Sequence, residues 1–319
     1  MIGGNGTPPG DTMTSDHPRR DRRRRSRRRG LLFGGVAAGL ALVVAVSLGV
    51  VVLLQPSSDP VADASSPAPG VGSVQRAGNT ALTSEQIAAL PEARYDAVIP
   101  GLLAYSSAEV PVVSRQVYTI TEDTPIYGEN RTPVARFAFT NFAGRPTVVV
   151  PVRTDGEWTL VMTPARQVLP SQANGAAPAQ TAGWVRTDAL HRTASLQQRI
   201  VISVSQQTLT IQSFSGEAAA SFPIGVGAPG TPTPTGVTGY IQEKYLDPDQ
   251  GQDTHRIQLT SLHSSARDEP FRGEDGGLIG MHYFSNHAGA VSHGCLRLPE
   301  EAITAVDALP AGTSVTIVP

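Results

Sequence analysis

The chain has 319 residues, 25 Lys+Arg against 27 Asp+Glu, a formal net charge of −2 and one cysteine. A single cysteine excludes an internal disulfide. The charge is uneven: beyond residue 54 there are 16 basic and 24 acidic residues, a balance of −8, which excludes the basic footprint of a nucleic-acid binder.

Residues 1–30 form a basic tail, with nine arginines and Asp21 packed into 19–29. Residues 31–54 follow as 24 positions without a charge. As a helix they extend roughly 36 Å, enough to cross a hydrocarbon core of about 30 Å. Cationic flanks stay inside, so the expected topology is a single-pass membrane anchor with a cytoplasmic N-terminus and everything after residue 54 outside. The apolar run is too long for a signal h-region, so an uncleaved anchor is expected; Ala62-Asp63-Ala64 leaves cleavage after Ala64 as the alternative.

Residues 55–114 are rich in Pro, Ser, Ala and Gly and read as a spacer. One short helix interrupts it. Thr83-Ser84-Glu85-Gln86 forms a capping box that opens a helix running to Leu90 and stopped by Pro91.

Residues 115–193 change to short alternating strands, predicted over 116–121, 134–139, 147–153 and 158–162. Asp155-Gly156 signals a tight hairpin between the last two. The segment closes with Gly183-Trp184-Val185-Arg186 and Thr187-Asp188-Ala189-Leu190. The Trp158 strand followed by Gly-Trp-Val-Arg and a final turn resembles a bacterial Src-homology-3-like domain, which implies a small β-barrel. Trp158 and Trp184 read as core residues, with a ligand-binding surface as the sharper alternative.

Residues 196–319 are β-rich as well, with strands predicted over 200–205, 208–213, 218–227, 237–245, 256–262, 278–284 and 313–318. Gly230-Thr231-Pro232-Thr233-Pro234-Thr235-Gly236 supplies a turn. One clear helix is predicted over 299–309, with proline at its start and Glu300 and Glu301 in its first turn.

Ser292-His293-Gly294-Cys295-Leu296-Arg297 concentrates the chemistry. A lone thiol outside the membrane is either buried and inert or used as a nucleophile. Two imidazoles, His282 and His293, are available to take its proton and hold the thiolate. Gly294 lets a carbonyl approach the backbone amides, which suits an oxyanion. In an extended segment His293, Cys295 and Arg297 project to one face, where Arg297 meets negative charge.

Gly280-Met281-His282 and the Ser-His-Gly-Cys-Leu-Arg run resemble the signature of the L,D-transpeptidases, the YkuD-type cysteine enzymes. The Pro-Thr-Gly turn ending at Gly236 is similar to that family's turn. The expected architecture is therefore mainly β: a membrane anchor, a small Src-homology-3-like β-barrel at 115–193, and a β-rich L,D-transpeptidase catalytic domain at 196–319. The resemblance implies that Cys295 attacks a peptidoglycan stem peptide at its D-alanine bond. His282 is then the general base. His293 and the Gly294 and Cys295 amides orient and stabilise the intermediate, with Ser292, Arg297 and Tyr283 as further substrate-binding residues. A tetrapeptide donor, an amine acceptor and carbapenem acylation are implied, with no metal or organic cofactor. Nine residues separate His282 from Ser292, and Tyr283 stands directly after the histidine. Three other outcomes stay open: a carboxypeptidase using the same cysteine, a non-catalytic wall-binding protein, and a zinc site built from Cys295, His293, His282 and His287.

Overall fold

A computed structural model describes residues 81–106, 114–268 and 277–319 of the chain. The predicted basic tail, membrane span and first half of the spacer lie outside the described residues. Among the described residues no helix is long and apolar enough to cross a membrane. All of them belong to one unit, Val74–Pro319.

The capping box at Thr83 forms both of its arms. Gln86 N–H donates to Thr83 Oγ1 at 3.2 Å, and Thr83 N–H donates to Gln86 Oε1 at 2.8 Å. The helix it opens, α1 (Ser84–Ala88), ends two residues earlier than predicted, with Ala89 as its C-cap. The stretch beyond Pro91, expected as free spacer, packs onto the following strands. Ala93, Ile99, Leu102 and Tyr105 are buried, and β1 (Leu103–Ala104) pairs with a later strand. These apolar residues follow no helix or strand period, so no local pattern announces them.

The next segment contains β2 (Gln116–Thr119), β3 (Thr124–Tyr127), β4 (Pro133–Phe137), β5 (Val148–Val149), β6 (Pro151–Asp155), β7 (Trp158–Thr163), β8 (Thr181–Arg186) and β9 (His191–Ser195). They build a sheet in the order β4-β3-β8-β7-β6, with β1 on β8, and a smaller sheet β5-β2-β9. Asp155 pairs with Trp158 across a two-residue turn, so the hairpin forms where it was expected. Two strands of this segment were not predicted: β3, whose Pro125 masks the strand pattern, and β9, which follows the closing turn.

Both tryptophans are covered by the chain's own cations. Arg131 lies 3.7 Å over the Trp184 ring and 5.3 Å over Trp158; Arg153 lies 5.0 Å over Trp184 and Arg186 5.2 Å over Trp158. This alternating stack of guanidinium and indole closes the ring faces and explains their enrichment in this segment structurally.

The C-terminal strands are β10 (Gln198–Ser203), β11 (Thr208–Ser213), β12 (Ala218–Pro223), β13 (Gly225–Gly227), β14 (Val237–Asp247), β15 (Gln252–His263), β16 (Leu278–Tyr283), β17 (Gly289–Ser292), β18 (Leu296–Leu298) and β19 (Ser314–Val318). They join in the order β12-β11-β10-β19-β14-β15-β16-β18-β13-β17. The strand predicted over 218–227 is broken at Ile224, whose N–H turns to the Gln207 carbonyl at 2.8 Å. The single predicted helix is α2 (Glu300–Asp307), which buries Ala302, Ile303 and Val306 and packs against β15, β16 and β18. Its last turn lacks a basic residue of its own. The chain's sole lysine supplies one from β14: Lys244 Nζ donates to the carbonyls of Asp307, at 2.7 Å, and Leu309. A cation at the negative end of a helix is favourable, and burial lowers this amine's pKa to about 8.

The two β segments share their cores. Tyr240 of β14 packs into the cluster around Val150, Leu160 and Trp184, and Ala179 sits in the C-terminal cluster. Polar contacts reinforce this seam: Asn141 Nδ2 and Arg145 Nε donate to the buried Glu243 carboxylate at 2.5 and 2.9 Å.

His263 at the end of β15 gives the seam a pH dependence. Its ring is buried, and Nε2–H donates to the Tyr95 carbonyl at 2.9 Å. Burial, with help from the Arg166 charge, pushes its pKa down to about 3. The unfolded chain therefore takes up a proton near pH 6.5 that the folded chain refuses. Stability is complete above that value and is lost as pH falls towards 3, by up to about 1.4 kcal/mol per unit. Urea denaturation at pH 7 and pH 5 is expected to differ by about 2 kcal/mol from this group. His263→Gln removes that increment.

Candidate active site

Cys295 follows a tight turn that the sequence builds around one glycine. Gly294 has φ +114°, a conformation open to glycine and costly to other residues, and a Cβ there would come within 3.1 Å of Ile279 Cδ1. Ser292 locks the turn from inside. Its hydroxyl donates to the Cys295 carbonyl at 2.5 Å and accepts from Gly294 N–H at 3.2 Å. Ser292 is 2% exposed, so it orders the cysteine segment through the backbone. The Gly294 amide, expected to face an oxyanion, is committed to this bond.

The Thr-Pro turn braces the same segment from behind. Thr233 Oγ1 donates to the Gly294 carbonyl at 2.8 Å and accepts from Gly227 N–H at 2.9 Å. Thr231 Oγ1 and Ala228 N–H both donate to the Ser292 carbonyl, at 3.2 and 2.8 Å. The contact is so close that a Cβ on Gly227 would stand 2.4 Å from the Thr231 oxygen and the Thr233 nitrogen. The turn supports the cysteine segment directly through Thr233 Oγ1 and Thr231 Oγ1, and Gly227 and Ala228 anchor the two ends of that brace.

Strand register delivers the imidazole. β16 and β18 run parallel, with Met281 opposite Leu296 and His282 opposite Arg297. Met281 and Leu296 are fully buried on one face. The alternate positions, Gly280, His282, Cys295 and Arg297, line a cavity of about 620 Å³ on the other face, together with His293 and Ser292. A cavity of that size suits a small molecule or a short peptide segment. The Cys295 thiol donates to the Leu278 carbonyl at 3.4 Å, and its sulfur accepts from Gly280 N–H at 3.5 Å. A donor at sulfur strengthens when the sulfur carries charge.

His282 Nδ1 lies 3.0 Å from the Tyr283 carbonyl. A carbonyl only accepts, so Nδ1 carries the hydrogen and the neutral ring keeps its lone pair on Nε2. Burial is the main force holding the imidazolium pKa below its usual value, and the Arg297 charge adds to it; the bond to the Tyr283 carbonyl opposes both. At neutral pH the ring is therefore a base. Phe284 lies against both groups, its ring 6.0 Å from the His282 ring and 4.2 Å from the Arg297 guanidinium.

Tyr283 stands apart from its predicted place. Its side chain alternates with His282, packs on the core and lies 4.9 Å from the His255 ring; it does not line the cavity. Its contribution to the site is its carbonyl. Tyr245, Gln250, Gln252, Ile257, Leu259 and Leu278 complete the cavity wall, and none of them carries a sequence signal for a site. Tyr245 is held at its base by Phe142, the rings 5.7 Å apart and nearly perpendicular, and burial pushes its phenol up to about 12. Among the described residues no group of three His, Cys, Asp or Glu is placed to hold a metal, so the zinc alternative finds no cluster there.

A half-buried thiol, a neutral imidazole whose Nδ1–H is held by a backbone carbonyl, and a cationic guanidinium share one cleft on a β-rich domain. Residues 197–317 match the family model of the L,D-transpeptidase catalytic domain, YkuD, and the match includes every residue that lines this cleft. No curated protein matches the chain. Among solved structures, an L,D-transpeptidase from Mycobacterium smegmatis is 13% identical, covering 51% of this chain and 91% of that one, with a TM-score of 0.30. One from Mycobacterium tuberculosis H37Rv is 16% identical over 51% and 91%, with a TM-score of 0.32. The catalytic domain of the E. faecium L,D-transpeptidase is 20% identical over 38% and 95%, with a TM-score of 0.27. At these scores the structural likenesses add no weight to the family match.

Proposed function

We propose that the protein is a cell-wall L,D-transpeptidase that forms 3→3 peptidoglycan cross-links through a thioester on Cys295. The observation that carries this reading is the fixed tautomer of His282 in the cleft it shares with Cys295. His282 Nε2 takes the thiol proton as sulfur attacks the carbonyl that joins the third stem residue to D-alanine. Arg297 and His293, on the cavity wall, meet the negative charge that develops on the carbonyl oxygen. The intermediate collapses as His282 returns the proton to the leaving D-alanine amine, leaving the acyl group on sulfur. The side-chain amine of a second stem then attacks the thioester, His282 takes the amine proton, and the thiolate departs.

The rest of the chain fits this setting. A membrane anchor at 31–54 with an inward basic tail and a spacer places the cleft on the wall side, and the segment 115–193 acts as a Src-homology-3-like module beside it. The decisive experiment incubates the full chain with a tetrapeptide stem, with and without an amine acceptor, and separately with a carbapenem. Release of D-alanine, an amine-dependent cross-linked product and a carbapenem adduct on Cys295 are expected. Water alone as acceptor points to a carboxypeptidase. An unreactive Cys295 overturns the proposal and favours a wall-binding protein.

A further inference from the structure

We propose that Gln252 is a positioning residue that sets the tautomer of His282. The inference rests on the reading of His282 as the base. Gln252 opens β15 and is 5% exposed, on the cavity wall. Its Nε2–H donates at 3.0 Å to the Tyr283 carbonyl, the oxygen that accepts His282 Nδ1–H at 3.0 Å. One carbonyl thus receives two donors, and its direction decides where the imidazole points. The amide orientation is fixed by the same contact, because the reversed amide would set oxygen against oxygen.

That orientation leaves Gln252 Oε1 buried with no partner among the described residues. An unpaired buried acceptor carries a desolvation penalty, and an apolar side chain of similar shape would avoid it. A purely structural role gives no reason for the amide. A positioning role does: the donor is retained for what it does to Tyr283 despite the idle oxygen. The same end of β15 grips Tyr283 from its other side, since the His255 ring lies 4.9 Å from the tyrosine ring. Tyr283 is clasped by side chain and by backbone, and His282 inherits its setting.

The test is Gln252→Met in the full chain, which keeps the volume and removes both polar atoms. The limiting rate of Cys295 acylation by a carbapenem is expected to fall about three- to tenfold, the worth of one hydrogen bond. The half-saturating carbapenem concentration should stay the same, and the melting temperature should hold or rise. Imidazole nitrogen-15 shifts should show Nδ1–H in the unmodified protein and a mixture of tautomers in the variant. An unchanged tautomer, an unchanged limiting rate, a shifted half-saturation, or a rate loss matched by a lower melting temperature would overturn the inference. An unmodified protein that forms no Cys295 adduct overturns the base–nucleophile reading instead, and the tautomer measurement still decides the role of Gln252.

Discussion

Cys295→Ala is expected to abolish carbapenem adduct formation and to lower D-alanine release on the order of 10⁴-fold or more, as loss of a covalent nucleophile does. The chain has no second thiol to substitute for it. The fold should hardly notice the change. The bonds of the sulfur to Gly280 N–H and the Leu278 carbonyl are weak, and the half-buried position leaves alanine in a cleft that already admits solvent. Stability should shift by about 1 kcal/mol or less. Intact-protein mass after carbapenem treatment, with a melting curve on the same sample, checks both halves. Persistent acylation in Cys295→Ala would place the nucleophile elsewhere.

His282→Gln is expected to lower the acylation rate by about 10²–10⁴, the range for removal of a general base. Its pH profile carries the sharper signature. In the unmodified protein the base works only when neutral, and burial and the Arg297 charge hold its pKa below the usual histidine value. The acylation rate should therefore stay level through neutral pH and decline only as the solution turns acidic past that lowered value. The glutamine variant has no ring to protonate, so this acidic limb should vanish while the residual rate stays low. An acidic limb that survives in His282→Gln would assign the titration to another group in the cleft.

Several features were legible because they are local. The capping box at Thr83 formed as read, since Ser84-Glu85-Gln86 need only their own turn. The helix at 299–309 shrank by a residue or two at each end, where capping geometry decides. Most strands of both β segments were read from alternation, while β3, with Pro125 in it, and the short β9, β17 and β18 were missed. The strand read over 218–227 proved to be two, because Ile224 finds its partner in Gln207, a residue of the preceding hairpin.

The site divides in the same way. Ser292, His293, Gly294, Cys295 and Arg297 were legible as a constellation because they follow one another; the alternation expected of His293, Cys295 and Arg297 is broken by the bend over 293–295 at Gly294, and the turn rather than a strand pleat presents His293 and Cys295 to the cavity. The oxyanion role read for the Gly294 amide was not legible: only the folded turn shows that this N–H serves Ser292. Tyr283 was read as a side chain facing substrate, but the pleat that aims His282 into the cleft aims its neighbour at the core. Thr231 and Thr233 were read as a turn, and the structure shows what the turn holds.

The sequence by itself determined the lone thiol proposed as nucleophile, its neighbouring imidazoles and the mainly-β character of the chain, because these depend on residue type and on spacing of a few positions. The tertiary structure alone decided which groups surround the sulfur and how the base is set. Tyr245, Gln252 and the Tyr283 carbonyl reach the cleft through the register of β14, β15, β16 and β18. Register is a property of paired strands, fixed by which faces bury together, so no single segment of the chain carries it.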